Sequence, residues 1–500
     1  MDNPIQYCTR AKILLTSHPL YQLANTSMSL GLGAHSHNSN CQMSTEKDHL
    51  SYINNVLIKE IEEKLRPDKL LEFEVEHSTG LDGFMSALYT INMKVSDERN
   101  KKETSRRLLA KFMKGDEHFR VSSRCYIQFA NEILIYSKVI PYYEKVLSEA
   151  AAQSTKAECW IPKVYAAKYG KIDGLNSDGT TSNESVLVLE HLKEKGYAMG
   201  PRLYLDKPHM LAMVKPLAEY HAMTYALRIK KDKHLEELIK SIVPLPFVET
   251  ADSTKNFYDP IYKVAFDRFF DYFNRCKKNL ISKDNSHDIQ LENNINRLYT
   301  KYGKTPTKLL EFIRTIHNEN DKKYAAILHG DFNRNNVMFK YEGDDSNPKD
   351  CKLIDFQELR FGTPCIDLSF AMFMNMERSI RHEFWMDLLK FYHKTLFNTM
   401  SEVLKPNDET TKNLLESYSF DDFNNHFTKY AFYGVMICMH FLPWLCGTEE
   451  ELSLLSQEFE RDVHGELFYS TSFAAGGDDA NNRIFEIFKH ASIMGYMNVI

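Results

Sequence analysis

The chain predicts an α+β protein of two lobes, a small antiparallel sheet followed by a larger, mainly helical part. Three observations carry this. Between about residues 70 and 192, short apolar runs, one strictly alternating with mostly polar neighbours, are separated by polar loops, the pattern of strands. After Gly196 the apolar spacing changes to three and four, the pattern of helices buried on one face. A chain of 500 residues also exceeds one ordinary core, so more than one unit is expected.

The elements follow in order. Residues 1–48 read as a disordered extension, and "HSHNSN" at 35–40 as a polar tail rather than a metal site. The opening apolar run is too short for a signal peptide, and Met43 is a candidate start. The first lobe spans 49–192. Leu50, Ile53, Leu57, Ile61 and Leu65 make an amphipathic helix that Pro67 closes. Ala87, Tyr89, Ile91, Met93 and Val95 alternate as a strand, "SDERNKKETSRR" is a solvated tip, and "LLAKFM" returns as the second strand of a hairpin. Phe129, Ile133, Tyr136 and Ile140 form one helix stripe, with Pro141 marking its end. "ECWIPKVYAAKY" and "ESVLVLEHL" are two more strands around the loop "GKIDGLNSDGTTSN".

The second lobe spans 193–500. Asp206 caps a helix that starts near Pro208 and runs through "MLAMVKPLAEYHAMTYAL". Residues 255–320 are mostly helical, with a break at "SKDNSHD"; short strands "AAILHG", "NVMF" and "CKLIDF" follow, then helices to the end. "YAFYGVMICMHFLPWLCG" (430–447) reads as a buried helix broken near Pro443, not as a membrane span, because it is short and carries Gly434, His440 and Pro443.

Composition narrows the function. The net charge of 62 − 68 = −6 gives no electrostatic reason to bind nucleic acid or an anionic membrane. Nine cysteines without a CxxC pair fit reduced thiols and a cytoplasmic protein. A soluble monomer is the expectation.

The chemistry concentrates in "ILHGDFNRNNVMF" (327–339) and "CKLIDFQ" (351–357). Asp331, Asn336 and Asp355 are hard oxygen donors suited to Mg²⁺, which keeps few protein ligands and completes its shell with substrate phosphate. An Asp, an Asn five residues later and then an Asp-Phe is the order kinases use: a base for the acceptor hydroxyl, then two groups holding metal on the nucleotide. Each residue alone could simply cap a turn; the ordered set between apolar strands favours chemistry. Such a site needs a strand lysine for the phosphates and a carboxylate on the next helix to hold it. Lys111 and Glu132 stand where these would be, although singly they read as a snorkelling lysine and a solvated helix charge. Gly80 and Gly83 in "STGLDGF" are a weak phosphate loop, short of the full glycine pattern. Main-chain groups of Glu190, His191 and Leu192 could meet an adenine where the sheet ends, a reading balanced against a plain strand end.

These segments, with "KLIDFQELRFGTPCIDL", "FANEILIYSKVIP", "SVLVLEHL" and "LAEYHA", make the chain resemble the ecdysteroid kinase-like (CHK kinase-like) family, relatives of choline and aminoglycoside kinases. The resemblance runs from about residue 50 to the end and implies a protein-kinase-like fold. "HGD" and "DFQ" stand where protein kinases have HRD and DFG. The resemblance implies Asp331 as catalytic base, Asn336 and Asp355 as Mg²⁺ ligands, Lys111 on phosphate and Glu132 on Lys111. It implies structural roles for Asp367, bracing the catalytic loop, and for His329; His221 reads as a core histidine. One departure is Asn333, where the family often carries Trp.

Only ten residues separate Gln357 from Asp367, and no Ala-Pro-Glu follows, so a peptide platform has no room. The expected reaction is therefore transfer of the ATP γ-phosphate to a small alcohol, and the resemblance implies a hydrophobic one, an ecdysteroid or a xenobiotic in a detoxification role. The alternatives are an ATP-binding pseudokinase scaffold, a choline- or aminoglycoside-type kinase of a polar acceptor, and a lipid or steroid carrier without nucleotide.

Overall fold

A computed structural model describes residues 44–77, 86–99, 101–150, 160–175, 182–243, 245–247, 258–343 and 346–500. Gly80, Gly83 and almost all of the N-terminal extension lie outside these residues.

The first lobe is a five-stranded antiparallel sheet under a helix. Its strands are β1 (Lys69–His77), β2 (Ser86–Ser96), β3 (Glu103–Met113), β4 (Val164–Gly170) and β5 (Glu184–Glu190), in the order β1-β2-β3-β5-β4. The helix begins at Glu46, three residues earlier than its apolar stripe predicts. Thr45 caps it, accepting the Asp48 N–H while the Asp48 carboxylate accepts the Thr45 N–H. It runs through a π-helical turn, Ile53–Leu57, to Leu65.

Strand alternation sorts the two faces of the sheet. Ala110, Phe112, Ile91, Val95, Val186 and Val188 pack against Tyr52, Leu57 and Ile61 of that helix. The opposite face carries Leu187 and Leu189, which join the main core with Ile133, Tyr136 and Ile140. Lys111 lies between Ala110 and Phe112, so it projects on that second face, toward the other lobe.

The structure corrects three expectations. Sequence reading marked no strand at Lys69–His77; β1 is an edge strand whose apolar residues stay partly exposed among four Glu and Lys side chains. The helix Cys125–Leu134 does not stop at Pro141 but continues through a π-helical turn, Ile135–Val139, into Ile140–Ala150. There the Ile140 N–H reaches back five residues to the Ile135 carbonyl, so the ladder is already reset where Pro141 supplies no donor. The helix Phe432–Cys446 likewise carries Pro443 inside its last turn instead of breaking there. It is buried almost throughout, and among the described residues no helix is long and apolar enough to cross a membrane.

The second lobe is mainly helical. Asp206 caps the helix Lys207–Ile229, accepting the His209 N–H, with Pro208 in the first turn. Small strands carry the chemistry at the junction of the lobes: β6 (Tyr197–Ala198), β7 (Ala326–Leu328), β8 (Val337–Lys340), β9 (Asp350–Leu353) and β10 (Arg360–Gly362). β6, β8 and β9 form one sheet, and β7 pairs with β10.

Candidate active site

Pairing of Val337 with Leu353 in the β8–β9 hairpin brings the ends of two distant segments together. Asn336, which closes a 3-10 turn (Arg334–Asn336), accepts the Ile354 N–H on its backbone carbonyl at 3.0 Å. Asp355 is the next residue. Its φ of +64° lies in the left-handed region, a costly conformation for a side chain with a Cβ and one concentrated at functional sites.

Lys111 meets this residue. Its Nζ donates to Glu132 Oε1 at 2.9 Å and to Asp355 Oδ1 at 3.3 Å, and lies 5.5 Å from the Phe129 ring centre. The Lys111 and Glu132 side chains are 12% and 2% exposed, while Asp355 is 34% exposed and opens to solvent. Burial opposes charge on Lys111, but Asp355 and Glu132 outweigh it and hold the ammonium above its ordinary range. Burial pushes Glu132 up, with Lys111 pulling the other way.

Asp331 follows β7. Asn336 Nδ2 donates to its Oδ2 at 2.8 Å and to its backbone carbonyl at 2.8 Å; Asn333 Nδ2 donates to Oδ1 at 3.1 Å. Asn333, at the position where the family often has Trp, thus orients Asp331 and also caps the 3-10 turn by accepting the Asn335 N–H. Burial, then the nearby carboxylates Glu358 and Asp355, push Asp331 well above the usual carboxylate range.

A buried frame holds the loop. Asp367 accepts the His329 N–H at 2.8 Å and the Gly330 N–H at 2.9 Å, and lies 3.2 Å from His221 Nε2. His221 reaches the Tyr392 hydroxyl with its other nitrogen. His329 is fully buried, its Nε2 2.9 Å from the Ile354 carbonyl, and burial lowers its basicity. Gly330 has a φ of +88°, and a Cβ there would stand 1.8 Å from the Glu358 carbonyl oxygen.

At the end of the sheet, two of the three main-chain N–H groups considered for adenine are already used. Glu190 N–H donates to the Lys163 carbonyl at 2.9 Å and His191 N–H to the Arg107 carbonyl at 3.1 Å. Leu192 opens a 3-10 turn, whose first N–H has no acceptor within the turn.

Sequence reading missed Glu358 and its surroundings. Glu358 accepts from Gln128 Nε2 at 3.3 Å, the Tyr258 hydroxyl at 3.4 Å and an Arg360 guanidinium nitrogen at 2.8 Å. Tyr262 and Tyr433 are buried within electrostatic reach of both Asp331 and Glu358, and burial keeps their hydroxyls protonated. His440, against Tyr262 with ring centres 5.8 Å apart, is pushed down to about 3 by burial and stays neutral. The only signal was the density of Tyr and Phe in the helix Tyr258–Leu280, which core packing also explains.

The two lobes, with a strand lysine held between a helix glutamate and a carboxylate of the other lobe, are the plan of protein-kinase-like enzymes that phosphorylate small molecules. More narrowly, the chain belongs to the ecdysteroid kinase-like family, whose model matches residues 80–405, well over half its length. None of the curated proteins matches the sequence. Among solved structures it is similar to a GDP complex of aminoglycoside 2'-phosphotransferase-IIIa (12% identity, TM-score 0.33, covering 85% of this chain and 97% of that one). It is also similar to an ethanolamine kinase of Plasmodium vivax (14%, TM-score 0.30, 81% and 82%) and a choline kinase of Cryptosporidium parvum (10%, TM-score 0.31, 86% and 91%).

Proposed function

We propose that the protein transfers the γ-phosphate of ATP to a hydroxyl of a small hydrophobic alcohol, an ecdysteroid or a xenobiotic. The observation that carries this reading is the meeting of Lys111 with both Glu132 and Asp355, beside an Asp331 held by two amides.

In this reading Lys111 steadies the α- and β-phosphates and Glu132 keeps the ammonium aimed. Asp331 orients the acceptor hydroxyl and takes its proton late in the transfer. Asn333 and Asn336 hold the plane of that carboxylate through their amide hydrogens. The donor set fits Mg²⁺. Asn336 commits its amide nitrogen to Asp331, which leaves its carbonyl oxygen for a cation, and Asp355 Oδ2 adds a second hard oxygen. Bound by Asn336 and Asp355, Mg²⁺ would neutralise charge on the transferring phosphoryl group. Most of the acceleration comes from positioning and electrostatics. Gly80 and Gly83 would cover the phosphates, and the Leu192 main chain would meet the adenine.

The aromatic wall around Asp331 supports a hydrophobic acceptor. Tyr262 and Tyr433, buried within electrostatic reach of Asp331, are neutral, and Glu358 is paired with Arg360, which favours an apolar acceptor over a cationic one. Described cysteines are unpaired thiols, which suits a cytoplasmic enzyme.

The test is a panel of ecdysteroids, phenols, hydrophobic alcohols, choline and an aminoglycoside, each incubated with the protein and Mg-ATP and read by a mass gain of one phosphate. Phosphorylation of a hydrophobic alcohol is expected. Transfer to choline or the aminoglycoside alone would overturn the acceptor class, and nucleotide binding without any transfer would overturn the enzyme.

A further inference from the structure

The helix that carries Glu132 is gripped on a face that the phosphate-handling residues do not use. Gln128 and Asn131 stand at i and i+3, one side of the helix, and Arg124 is the residue that precedes its first turn. Glu132 and Phe129 turn instead toward Lys111. Asn131, 1% exposed, holds both main-chain groups of Val243: its Nδ2 donates to the carbonyl at 2.8 Å, and the Val243 N–H donates to its Oδ1 at 3.1 Å. The same Nδ2 lies 3.5 Å from the Leu359 carbonyl, and Gln128 reaches Glu358. At the start of the helix, Arg124 donates to the Pro246 carbonyl at 2.6 Å and sits 5.5 Å from the Tyr258 ring centre.

The gripped segment is itself seated in the second lobe. Ile242, Leu245 and Phe247 are buried. Arg314 donates to the Leu245 carbonyl at 2.6 Å and lies 3.9 Å from the Phe247 ring centre, and the Phe247 N–H donates to Glu311 Oε2 at 2.8 Å. The Glu358 and Leu359 end of the grip abuts Gly330 of the loop that presents Asp331.

We infer that Asn131 is a positioning residue, and that the strap residues Ile242, Val243 and Leu245 to Phe247 lock the Glu132 helix in the rotation that keeps Glu132 on Lys111. A side-chain amide matched to both main-chain groups of one residue fixes the helix about its own axis, which a purely apolar contact does not. The nucleotide site is then preformed, without the swing of this helix that regulates protein kinases. This inference rests on the kinase reading above.

The experiment compares wild type with Asn131→Ala, Arg124→Ala and, as a control on the neighbouring exposed surface, Val121→Ala. Affinity for Mg-ATP is measured by competition with a fluorescent ATP analogue, and amide hydrogen exchange is followed in the helix Cys125–Leu134 and in the helix Lys207–Ile229. Asn131→Ala is expected to bind Mg-ATP about tenfold more weakly, because the competent rotation is then only a fraction of the population. Its exchange should accelerate in Cys125–Leu134 alone, and Val121→Ala should match wild type. A folded Asn131→Ala with wild-type affinity and exchange overturns the inference. If Asn131→Ala does not fold, Arg124→Ala is read by the same criteria from the other end of the strap. A wild-type chain that fails to bind Mg-ATP overturns the kinase reading instead, and exchange then decides the strap alone.

Discussion

Lys111 and Asp355 meet at 3.3 Å although 244 residues separate them in the chain. One lies within β3 of the sheet lobe and the other follows β9 of the helical lobe. The contact therefore reports the relation of the two lobes. Both residues are drawn to a place where Glu132 is fully buried, so a lone carboxylate there would be costly without the ammonium.

Replacing Lys111 by Met separates structure from chemistry. The variant leaves Glu132 buried without its cation, so unfolding by urea should show a loss of about 3 kcal/mol, in the range for breaking a buried pair from one side. Mg-ATP affinity should fall as well. In Lys111→Met with Glu132→Leu, stability should return while nucleotide affinity does not. Recovery of both would remove Lys111 from the phosphate site.

Gly330→Ala tests the catalytic loop. The added Cβ would collide with the Glu358 carbonyl and would have to adopt a φ of +88°. Backbone cannot step aside cheaply, so a loss of about 2 kcal/mol or more is expected in urea unfolding. A variant as stable as wild type would mean that the loop does not pack this closely on the segment after Asp355.

Stability should fall in mild acid. Burial lowers His49 and His426 from 6.5 to about 4 in the folded chain. Below pH 6.5 the unfolded chain binds these protons and the folded chain does not. The contribution is complete above pH 6.5 and is lost as pH falls toward 4, by up to about 3 kcal/mol for each histidine. Urea midpoints at pH 7.5 and pH 5 should show the drop, and His49→Gln should reduce it. Equal midpoints would contradict neutral, buried histidines.

Much of the fold was legible because it depends on local periodicity. Tyr89, Ile91, Met93 and Val95 alternate because only one face of β2 is buried, and Phe129, Ile133 and Tyr136 share a face of one helix. β1 escaped the reading although Phe73 and Val75 alternate with Glu72, Glu74 and Glu76, because at the sheet edge the strand is half in water and its few apolar side chains sit among acidic ones as in a solvated segment. Pro141 misled because a π-helical turn, invisible in composition, changes which donors the helix needs. In the site, Asp331, Asn336 and Asp355 could be found because their order is constrained by a hairpin. Glu358, Arg124, Gln128 and Asn131 could not. Polar residues beside an apolar stripe ordinarily face water, and only the packing of the strap and of the second lobe buries them.

The central claim is that these scattered side chains gather around a magnesium nucleotide and pass its phosphate to an alcohol. The most direct measurement compares wild type with Asp331→Asn, using Mg-ATP, the best acceptor from the panel and a parallel determination of nucleotide affinity. Nucleotide affinity should stay nearly unchanged and turnover should fall by about 10²-fold or more, the scale of losing a general base. Unchanged turnover in Asp331→Asn would contradict that claim.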